Sequence, residues 1–349
     1  MIRFNVRSIA ATVATLLVLC LATWGSFVQA STSSASAAME RYDGMCEASA
    51  AVALDSQHFV VGDDESNALN VYRIGQSAPA RPAVDLAAFL ATGDKASDIE
   101  GATRIGDTIY WISSHSRTSS GKARPWRRRL FATQVDLGVS PPTVRPVGKP
   151  YVDLIEDLAS APELQGLGLG KAADIAPEQP GGLNIEGLAD TADGHLLVGF
   201  RNPLKDGKAL LVPITNPAAL LVPITNPAAL VVGDGARPAF GPPALLDLGG
   251  RGIRSMERIG AVYWIVAGPT GDVGSFALYA WDGVPTHPAT PAPVALPAQF
   301  SAEALFALPG TGQAMLLSDD GTLRVEGTRC DQLDKAKQRF RALRIPLQR

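Results

Sequence analysis

The sequence predicts an all-β fold, a β-propeller of five four-stranded blades. The main observation is a phrase that occurs five times: a glutamate begins a short apolar stretch, followed by a tight turn, a run of β-forming residues and a polar loop. The intervals between copies are 53, 86, 71 and 46 residues. Strand-rich repeats of roughly 40–50 residues are typical of propellers, with one blade per repeat. The five copies begin at Glu47, Glu100, Glu186, Glu257 and Glu303.

A second observation is a similar short strand before each new repeat. These segments end at Leu86, Leu154, Leu248 and Leu296, and they favour four-stranded blades over a general all-β fold. Two places could still supply a sixth blade, either within 138–182 or with the N-terminal residues 38–45. An N-terminal strand that completes the last blade would close the ring.

Composition agrees with this fold class. The chain has 349 residues, of which 46% are hydrophobic, so a sizeable core is available. The 34 glycines and 26 prolines suit many turns between short strands. The formal net charge of −3 is too small to indicate nucleic acid as a partner.

The individual elements follow from apolar runs and turn residues. Strands are expected in repeat one at 47–54, 57–63, 68–74 and 82–86. In repeat two they are expected at 100–105, 108–114, 129–135 and 150–154.

Three further segments do not follow the repeat. An insertion at about 153–182 begins with a candidate helix, and its Gly-rich part does not match a phosphate-binding loop. Residues 211–220 are repeated as 221–230, and one copy can form the third strand of blade three. A basic tail, 331–349, could form a terminal helix; the charges would then form a solvated face.

The first 30 residues have the pattern of a signal peptide. Arg3 and Arg7 precede an apolar run from Ile9 to Leu21, and small residues precede a cleavage site after Ala30. The alternative is a retained membrane anchor, but the apolar run is short for a span of about 20 residues. Residues 31–45 would be a lead-in, and 46–330 the propeller. We expect a periplasmic or secreted protein with no stable membrane span after cleavage.

An oxidising compartment makes a disulfide between Cys46 and Cys330 the favoured state. The two residues lie near opposite ends of the mature chain, where a covalent link would close the ring; the alternative is two free thiols. One difficulty is that Cys46 begins an inner strand whereas Cys330 follows what reads as a third strand. The two cysteines could then lie at opposite ends of the blades.

A candidate site follows from the topology. The first strand of each propeller blade lines the central channel, so the five glutamates would lie near one mouth. The second strands run back to the same mouth. Their ends carry Asp63 and Asp64, His115, Arg201 and Asn202, and Asp319 and Asp320.

Several carboxylates at one mouth repel one another unless something offsets their charge. A Ca²⁺ or other divalent cation, arginine partners or raised pKa values would do so. The predicted metal ligands are Glu47, Glu100, Glu186 and Glu257. The predicted catalytic residues are Glu100, Glu186 and His115. The predicted substrate-binding residues are Arg201, Asn202, Arg124 and Arg128. The alternative is that the glutamates are structural and accept hydrogen bonds from neighbouring blades.

Several phrases in the sequence resemble a bacterial family known as domain of unknown function 3616, over about 45–330. They are DIEGATRIGDTIYWISSHS, GKARPWRRRLFAT, GLNIEGLADTADGHLLVGFRNPL, GKALLVPITNPAAL and GIRSMERI. The Ile-Glu-Gly phrase is more distantly similar to esterase-like phytase-type and gluconolactonase-type propellers. That resemblance implies that an inner-strand glutamate can bind a metal.

Two functional hypotheses result. In the first, the protein is a metal-assisted hydrolase of an ester, lactone or phosphoester. In the second, it is a non-catalytic propeller whose basic loop 121–129 binds an anionic ligand or a protein. A monomer acting on a small anionic ligand or substrate is expected in either case.

Overall fold

The computed structural model describes residues 39–217, 236–271 and 273–347. The predicted signal peptide, the lead-in residues 31–38 and the second decapeptide copy, 221–230, lie outside the described residues. Within them the chain is mostly β-strand. In chain order the strands are β1 (Met39–Asp43), β2 (Ala48–Ala53), β3 (His58–Asp63), β4 (Ala68–Arg73), β5 (Val84–Asp85), β6 (Ile99–Ile105), β7 (Thr108–Ser113), β8 (Leu130–Asp136), β9 (Thr143–Tyr151), β10 (Asn184–Asp190), β11 (Leu196–Asn202), β12 (Ala209–Ile214), β13 (Ala244–Leu246), β14 (Gly252–Ile259), β15 (Val262–Gly268), β16 (Ala277–Trp281), β17 (Thr290–Pro291), β18 (Ala302–Leu308), β19 (Gln313–Ser318), β20 (Arg324–Val325), β21 (Thr328–Arg329) and β22 (Arg339–Pro346).

Twenty of these strands form five four-stranded antiparallel sheets, which are the blades. Blades one to four are β2–β5, β6–β9, β10–β13 and β14–β17, and blade five is β18, β19, β22 and β1. The inner strands β2, β6, β10, β14 and β18 contact one another in sequence, and β18 also contacts β2. The ring is therefore closed, and the predicted five-bladed propeller is confirmed. Segment 138–182 adds no sixth blade, because Thr143–Tyr151 is the fourth strand of blade two.

The ring closes where the two ends of the described chain meet. Strand β1 pairs with β22 and forms the outer edge of blade five, as expected for an N-terminal closing strand. The predicted terminal helix is wrong: residues 339–346 are a strand, in which Phe340, Ala342 and Ile345 are buried. An aromatic cluster fills this seam, with Tyr42 stacked on Phe340 at 5.3 Å between ring centroids.

The predicted disulfide between Cys46 and Cys330 is present, with 5.9 Å between the Cα atoms. Because the third strand of blade five is β22, Cys330 precedes that strand and lies in the loop after β19. This loop shares a mouth with the start of β2, where Cys46 lies. The difficulty raised by the sequence therefore disappears.

Helices are few and short. They are α1 (Ala87–Leu90), α2 (Leu154–Ser160) and α3 (Leu169–Ala172), with 3₁₀ turns at Pro125–Arg127, Pro162–Leu167, Cys330–Gln332 and Lys335–Lys337. The insertion between blades two and three buries Leu154, Leu158, Leu164 and Leu169 in a core shared with both blades. Over the described ranges, no helix has the length and apolar character needed to span a membrane.

Candidate cation site at the channel mouth

A β-bulge interrupts each inner strand near its first residue. In every blade, the pairing register between the first and second strands shifts across one residue of the first strand. A bulge sets two residues opposite one and re-aims the side chain at that point. We call the five bulged residues the bulge ring: Ser49, Glu100, Glu186, Arg254 and Glu303.

The sequence alignment of the five phrases was therefore wrong for two blades. Glu47 lies two residues before the bulge position Ser49, and Glu257 lies three residues after Arg254. The distance to the end of the strand shows that Arg254 is the equivalent of Glu100. Glu100 lies five residues before Ile105, where β6 ends, and Arg254 lies five residues before Ile259, where β14 ends. The available signal was the isoleucine that precedes Glu100, Glu186 and Arg254 alike.

Glu257 does not lie at this mouth, contrary to the prediction. It is opposite Trp264 in the hairpin register, well beyond the bulge of β14. Burial raises the pKa of Glu257 to about 8, with a further contribution from the negative charge of Asp190. Asp190 is the last residue of β10, so both carboxyls lie toward the opposite end of the inner strands.

One side of the mouth is neutralised by arginines, and we call it the arginine side. Arg254 Nε lies 2.8 Å from Glu186 Oε2, without the alignment of a hydrogen bond, and Arg254 also pairs with Glu303. Arg201 Nη1 donates to Glu186 Oε1 at 3.0 Å. Asn184 Nδ2 donates to the same oxygen at 2.9 Å. These glutamates are buried, and their negative charge is balanced within the chain.

The opposite side, the open side, consists of Glu47, Asp64 and Glu100. Among the described residues, the side chains of Glu47 and Glu100 have no hydrogen bond or ion pair, although Glu100 is only 8% exposed. Asp64 Oδ1 is buried and has no hydrogen-bond partner. Glu47 packs over Gly321 so closely that a Cβ there would not fit. Buried polar atoms without a hydrogen-bond partner are unusual in a native protein, and an ion or water bound there is a common reason.

The carboxylates of the mouth form three overlapping groups. In each group, one oxygen from every member lies within 4.8 Å of the others. The first group is Glu47, Asp63 and Asp64; the second is Asp64, Asp98 and Glu100; the third is Glu100, Glu186 and Glu303. Only oxygen atoms are offered, which is the ligand set of hard divalent cations such as Ca²⁺.

Burial and mutual repulsion raise the pKa values on the open side. The pKa of Glu47 rises to about 9, chiefly through burial and then through Asp319 and Glu65. Burial followed by the charges of Glu47 and Glu100 holds the pKa of Asp64 well above its usual range. The pKa of Glu100 is raised in the same way, by burial and then by Glu186. A bound cation would reverse these shifts, because it favours the ionised form.

Asp98 belongs to this site, although sequence reasoning missed it. Its backbone is left-handed, with φ of 64°, and its side chain is buried. Arg127 Nη1 lies 3.0 Å from Asp98 Oδ2, and Ser114 Oγ donates to the same oxygen. Burial raises the pKa of Asp98 to about 6, while Arg127 lowers it. The sequence signal that could have identified Asp98 is its position two residues before Glu100.

His115 is buried beside the mouth at the end of β7. Its backbone is also left-handed, with φ of 56°, and neither ring nitrogen has a hydrogen-bond partner. Burial and then Arg128 lower the pKa of His115 to about 3, so the ring is neutral at physiological pH. It is not a member of the three carboxylate groups. Its predicted catalytic role stays a prediction.

The predicted substrate-binding residues of blade three are instead committed to the protein. Arg201 donates to Glu186 and to the carbonyl oxygens of Pro269 and Gly271. Asn202 Nδ2 donates to the carbonyl oxygens of Pro177 and Gln179, at 2.9 and 2.7 Å. Asn202 thus holds the insertion loop beside the mouth, and Arg201 holds the loop after β15.

The basic loop 121–129 is similarly occupied. Arg128 Nη1 pairs with Glu156 Oε1 of α2 at 2.5 Å. Arg129 donates to the carbonyl oxygen of Leu90. Arg124 lies over the ring of Trp126 at 5.1 Å, a cation–π contact at the surface. Of the two predicted loop arginines, only Arg124 keeps its guanidinium without an ion pair among the described residues.

Comparison with solved structures finds similar chains at low sequence identity. The glutaminyl cyclase of Myxococcus xanthus is 14% identical, with a TM-score of 0.39 over 79% of this chain and 88% of that chain. A putative oxidoreductase (glucose dehydrogenase) of Thermus thermophilus is 12% identical, with a TM-score of 0.42 over 88% and 100%. A GH43_1 enzyme from Xanthomonas citri is 10% identical, with a TM-score of 0.45 over 88% and 91%. At these values the likenesses carry no functional argument.

No curated protein matches the chain. A family model described as "Protein of unknown function (DUF3616)" matches residues 153–314. This segment runs from the insertion after blade two to the first strands of blade five. The match confirms, over this segment, the family resemblance inferred from the sequence.

Proposed function

We propose that this propeller is a cation-dependent hydrolase of a small ester, lactone or phosphoester, with its site on the open side of the channel mouth. The observation that carries the proposal is the state of Asp64 and Glu100. Both are acidic groups at the mouth, and neither carboxyl forms an ion pair among the described residues, although the charges of Arg254 and Arg201 partly offset that of Glu100. Burying an unpaired carboxylate is costly, so a cation is the simplest way to stabilise this arrangement.

The residues fit a hard cation. Asp64, Glu100 and Asp98 each bring one oxygen into a common space, and Glu47 and Asp63 do so next to it. Arg127 and Ser114 orient the Asp98 carboxylate, as outer groups commonly do around metal ligands. When bound, a divalent ion supplies polarisation of the scissile group and a more acidic water.

Within the chain, the remaining roles divide by charge. Glu186 is committed to Arg201 and Arg254, so it positions these arginines beside Glu100 rather than acting as an acid or base. His115 offers a neutral imidazole with both nitrogens free of hydrogen bonds. It can accept or donate one hydrogen bond to a substrate polar group.

The compartment forms part of the proposal. Residues 1–30 would direct export, and the mature protein would be periplasmic or secreted. The disulfide between Cys46 and Cys330 supports this, because structural disulfides persist in oxidising compartments.

Hydrolysis assays on the purified mature protein test the proposal. p-Nitrophenyl acetate, a δ-lactone and p-nitrophenyl phosphate would be assayed in Ca²⁺, Mg²⁺ or Mn²⁺ and in chelator. We expect hydrolysis of one class that chelator abolishes and that Asp64→Asn and Glu100→Gln reduce by at least tenfold. Glu257→Gln is the matched control, since it removes a half-buried inner-strand carboxyl from the other end of the channel. Hydrolysis unaffected by chelator, or lost equally in the control, would contradict the proposal.

A second function is favoured by the arginine side. Arg254 of blade four pairs with Glu186 of blade three and Glu303 of blade five, which is the pattern of glutamates that serve structure. In this case the propeller binds a ligand or protein without catalysis, and a cation only stabilises the ring. Cation binding with no hydrolysis of any of the three substrates would favour this function.

A further inference from the structure

The first and second carboxylate groups share Asp64, just as the second and third share Glu100. Asp64 contributes an oxygen to the group with Glu47 and Asp63 and also to the group with Asp98 and Glu100. A carboxylate has two oxygens and can therefore bridge two ions. The two groups lie side by side along the open side, on the ends of β3, β6 and the segment before β2.

Polar side chains without a partner, at these groups and at the equivalent position of the next blade, also point to bound ligands. Glu100 is more than nine-tenths buried and has no partner among the described residues. In the neighbouring blade, Ser49 is 1% exposed at the equivalent bulge position, and its hydroxyl also lacks a partner. Asp64 Oδ1, which belongs to both groups, is equally without a hydrogen bond.

The charge of the two groups, once their carboxyls are ionised by a bound cation, favours more than one ion. The two groups contain five carboxylates, and the ion pair that the structure gives them is the one between Arg127 and Asp98. Ionised, they keep a formal charge of about −4 around Asp64. Glu65 and Asp319 add negative charge nearby, while Lys335 acts on Asp63 with positive charge, as Arg201 and Arg254 do on Glu100. One divalent cation would leave half of that charge unbalanced.

The third group shows what balanced carboxylates look like here. Glu186 and Glu303 converge with Glu100, but the Arg254 guanidinium pairs with both of them. At that position, the positive charge comes from an arginine side chain of the protein itself. The two groups that share Asp64 have no such residue on β2 or β6, where the bulge positions are Ser49 and Glu100.

We propose that the open side binds two divalent cations bridged by the Asp64 carboxylate, and that the substrate is a phosphoester. The inference rests on the proposed hydrolase and selects among its three substrate classes. Two metal ions about 3.5–4 Å apart suit in-line displacement at phosphorus, because they stabilise both the attacking and the leaving oxygen. One ion is enough to polarise the carbonyl of an ester or lactone.

The reaction is hydrolysis and needs no reactant besides water. The water oxygen forms a bond to phosphorus while the bond from phosphorus to the ester oxygen breaks. One water proton stays on the phosphate product, and the other ends on the leaving alcohol. Electrons and atoms therefore balance without an oxidant or a reductant.

Mn²⁺ titration with electron paramagnetic resonance tests the ion count. We expect wild type to bind two Mn²⁺ per chain with the broadened spectrum of a spin-coupled pair. Glu47→Gln, which affects only the first group, should bind one ion with an uncoupled six-line spectrum. Glu257→Gln should match wild type. Near-ultraviolet circular dichroism checks that each variant is folded.

The outcomes separate this inference from the function beneath it. A single uncoupled ion in wild type, or a coupled pair that persists in Glu47→Gln, would overturn the two-ion centre while leaving a cation-dependent hydrolase intact. No bound ion would refute both. If two ions bind but p-nitrophenyl acetate is cleaved and p-nitrophenyl phosphate is not, the substrate class is wrong.

Discussion

The two sides of the channel mouth differ in how the negative charge of their carboxylates is balanced. On each side, a bulge near the start of an inner strand places a buried glutamate at the mouth: Glu100 on the open side, and Glu186 and Glu303 on the arginine side. On the arginine side, Arg254 and Arg201 balance Glu186 and Glu303. On the open side, Glu47, Asp64 and Glu100 form no ion pair with any of the residues described here.

The difference shows that the backbone repeat does not determine the chemistry. The bulge sets where a side chain points, and the residue at that position sets the charge. Four blades carry Ser49, Glu100, Glu186 and Glu303 at this point, and only blade four places an arginine there. We therefore expect arginine-side changes to alter stability, and open-side changes to alter cation dependence.

The largest expected effect is on the arginine side. Arg254→Gln leaves Glu186 and Glu303 buried with much less positive charge, and breaking a buried pair in this way costs about 3–5 kcal/mol. Urea unfolding would measure the loss. The matched control is Arg258→Gln on the same strand, whose pair with Asp190 is partly exposed and should be worth about 1 kcal/mol or less. Equal losses in both variants would contradict the comparison.

The disulfide is the next largest contribution, and it lies on the open side because Cys46 directly precedes Glu47. Replacing Cys46 and Cys330 together by serine should lower the free energy of unfolding by about 2–5 kcal/mol. It should also weaken cation binding, since Glu47 and the loop after β19 would lose their covalent link. Calorimetric titration with Ca²⁺ would measure this. Unchanged affinity would show that the disulfide closes the ring without shaping the site.

A pH effect of a few kcal/mol is expected from Glu257, which lies away from both sides. Its pKa is raised to about 8 in the folded protein, from an ordinary value near 4.5. The unfolded chain thus releases the proton first, and stability should fall as pH rises from about 4.5 to about 8. One pKa unit corresponds to about 1.4 kcal/mol. Glu257→Gln should flatten this part of the stability profile, measured by unfolding at several pH values. An unchanged slope would contradict the assignment.

The smallest expected effect is on the open side, where Asp64→Asn should change the stability of the protein in opposite directions without and with a cation. In chelator, Asp64→Asn should stabilise the protein by about 1 kcal/mol, because it removes a buried group that burial and its neighbours disfavour in the charged form. In Ca²⁺ the same variant should be less stable than wild type. Parallel thermal unfolding in the two buffers would measure both signs. Loss of stability in chelator would mean that Asp64 is already satisfied by the protein.

The sequence was sufficient for the architecture because strand periodicity and turn residues are local signals. The first three strands of blade one were predicted within a residue or so of 48–53, 58–63 and 68–73. The terminal strand 339–346 was missed because its arginines suggested a solvated helix face. Its alternation of buried Phe340 and Ala342 with the more exposed Arg339 and Arg341 was the better signal.

The site was only partly predictable. Glu100, Glu186 and Glu303 were found because the residue type itself repeats. Arg254 was missed because aligning on glutamate shifts blade four by three residues to Glu257. The pairing of Arg254 with two glutamates from other blades is a three-dimensional fact, and no local pattern in the sequence encodes it.

The most direct test of the central claim compares thermal unfolding with and without cation. Mature wild type, Glu100→Gln and Glu257→Gln would each be melted in excess chelator and in millimolar Ca²⁺. We expect a rise of several degrees with Ca²⁺ for wild type and Glu257→Gln, because ligand binding stabilises only the folded state. The rise should be clearly smaller for Glu100→Gln, which keeps at most the ion of the group formed by Glu47, Asp63 and Asp64. Equal melting temperatures of wild type in the two buffers, repeated with Mg²⁺ and Mn²⁺, would contradict a cation site on the open side.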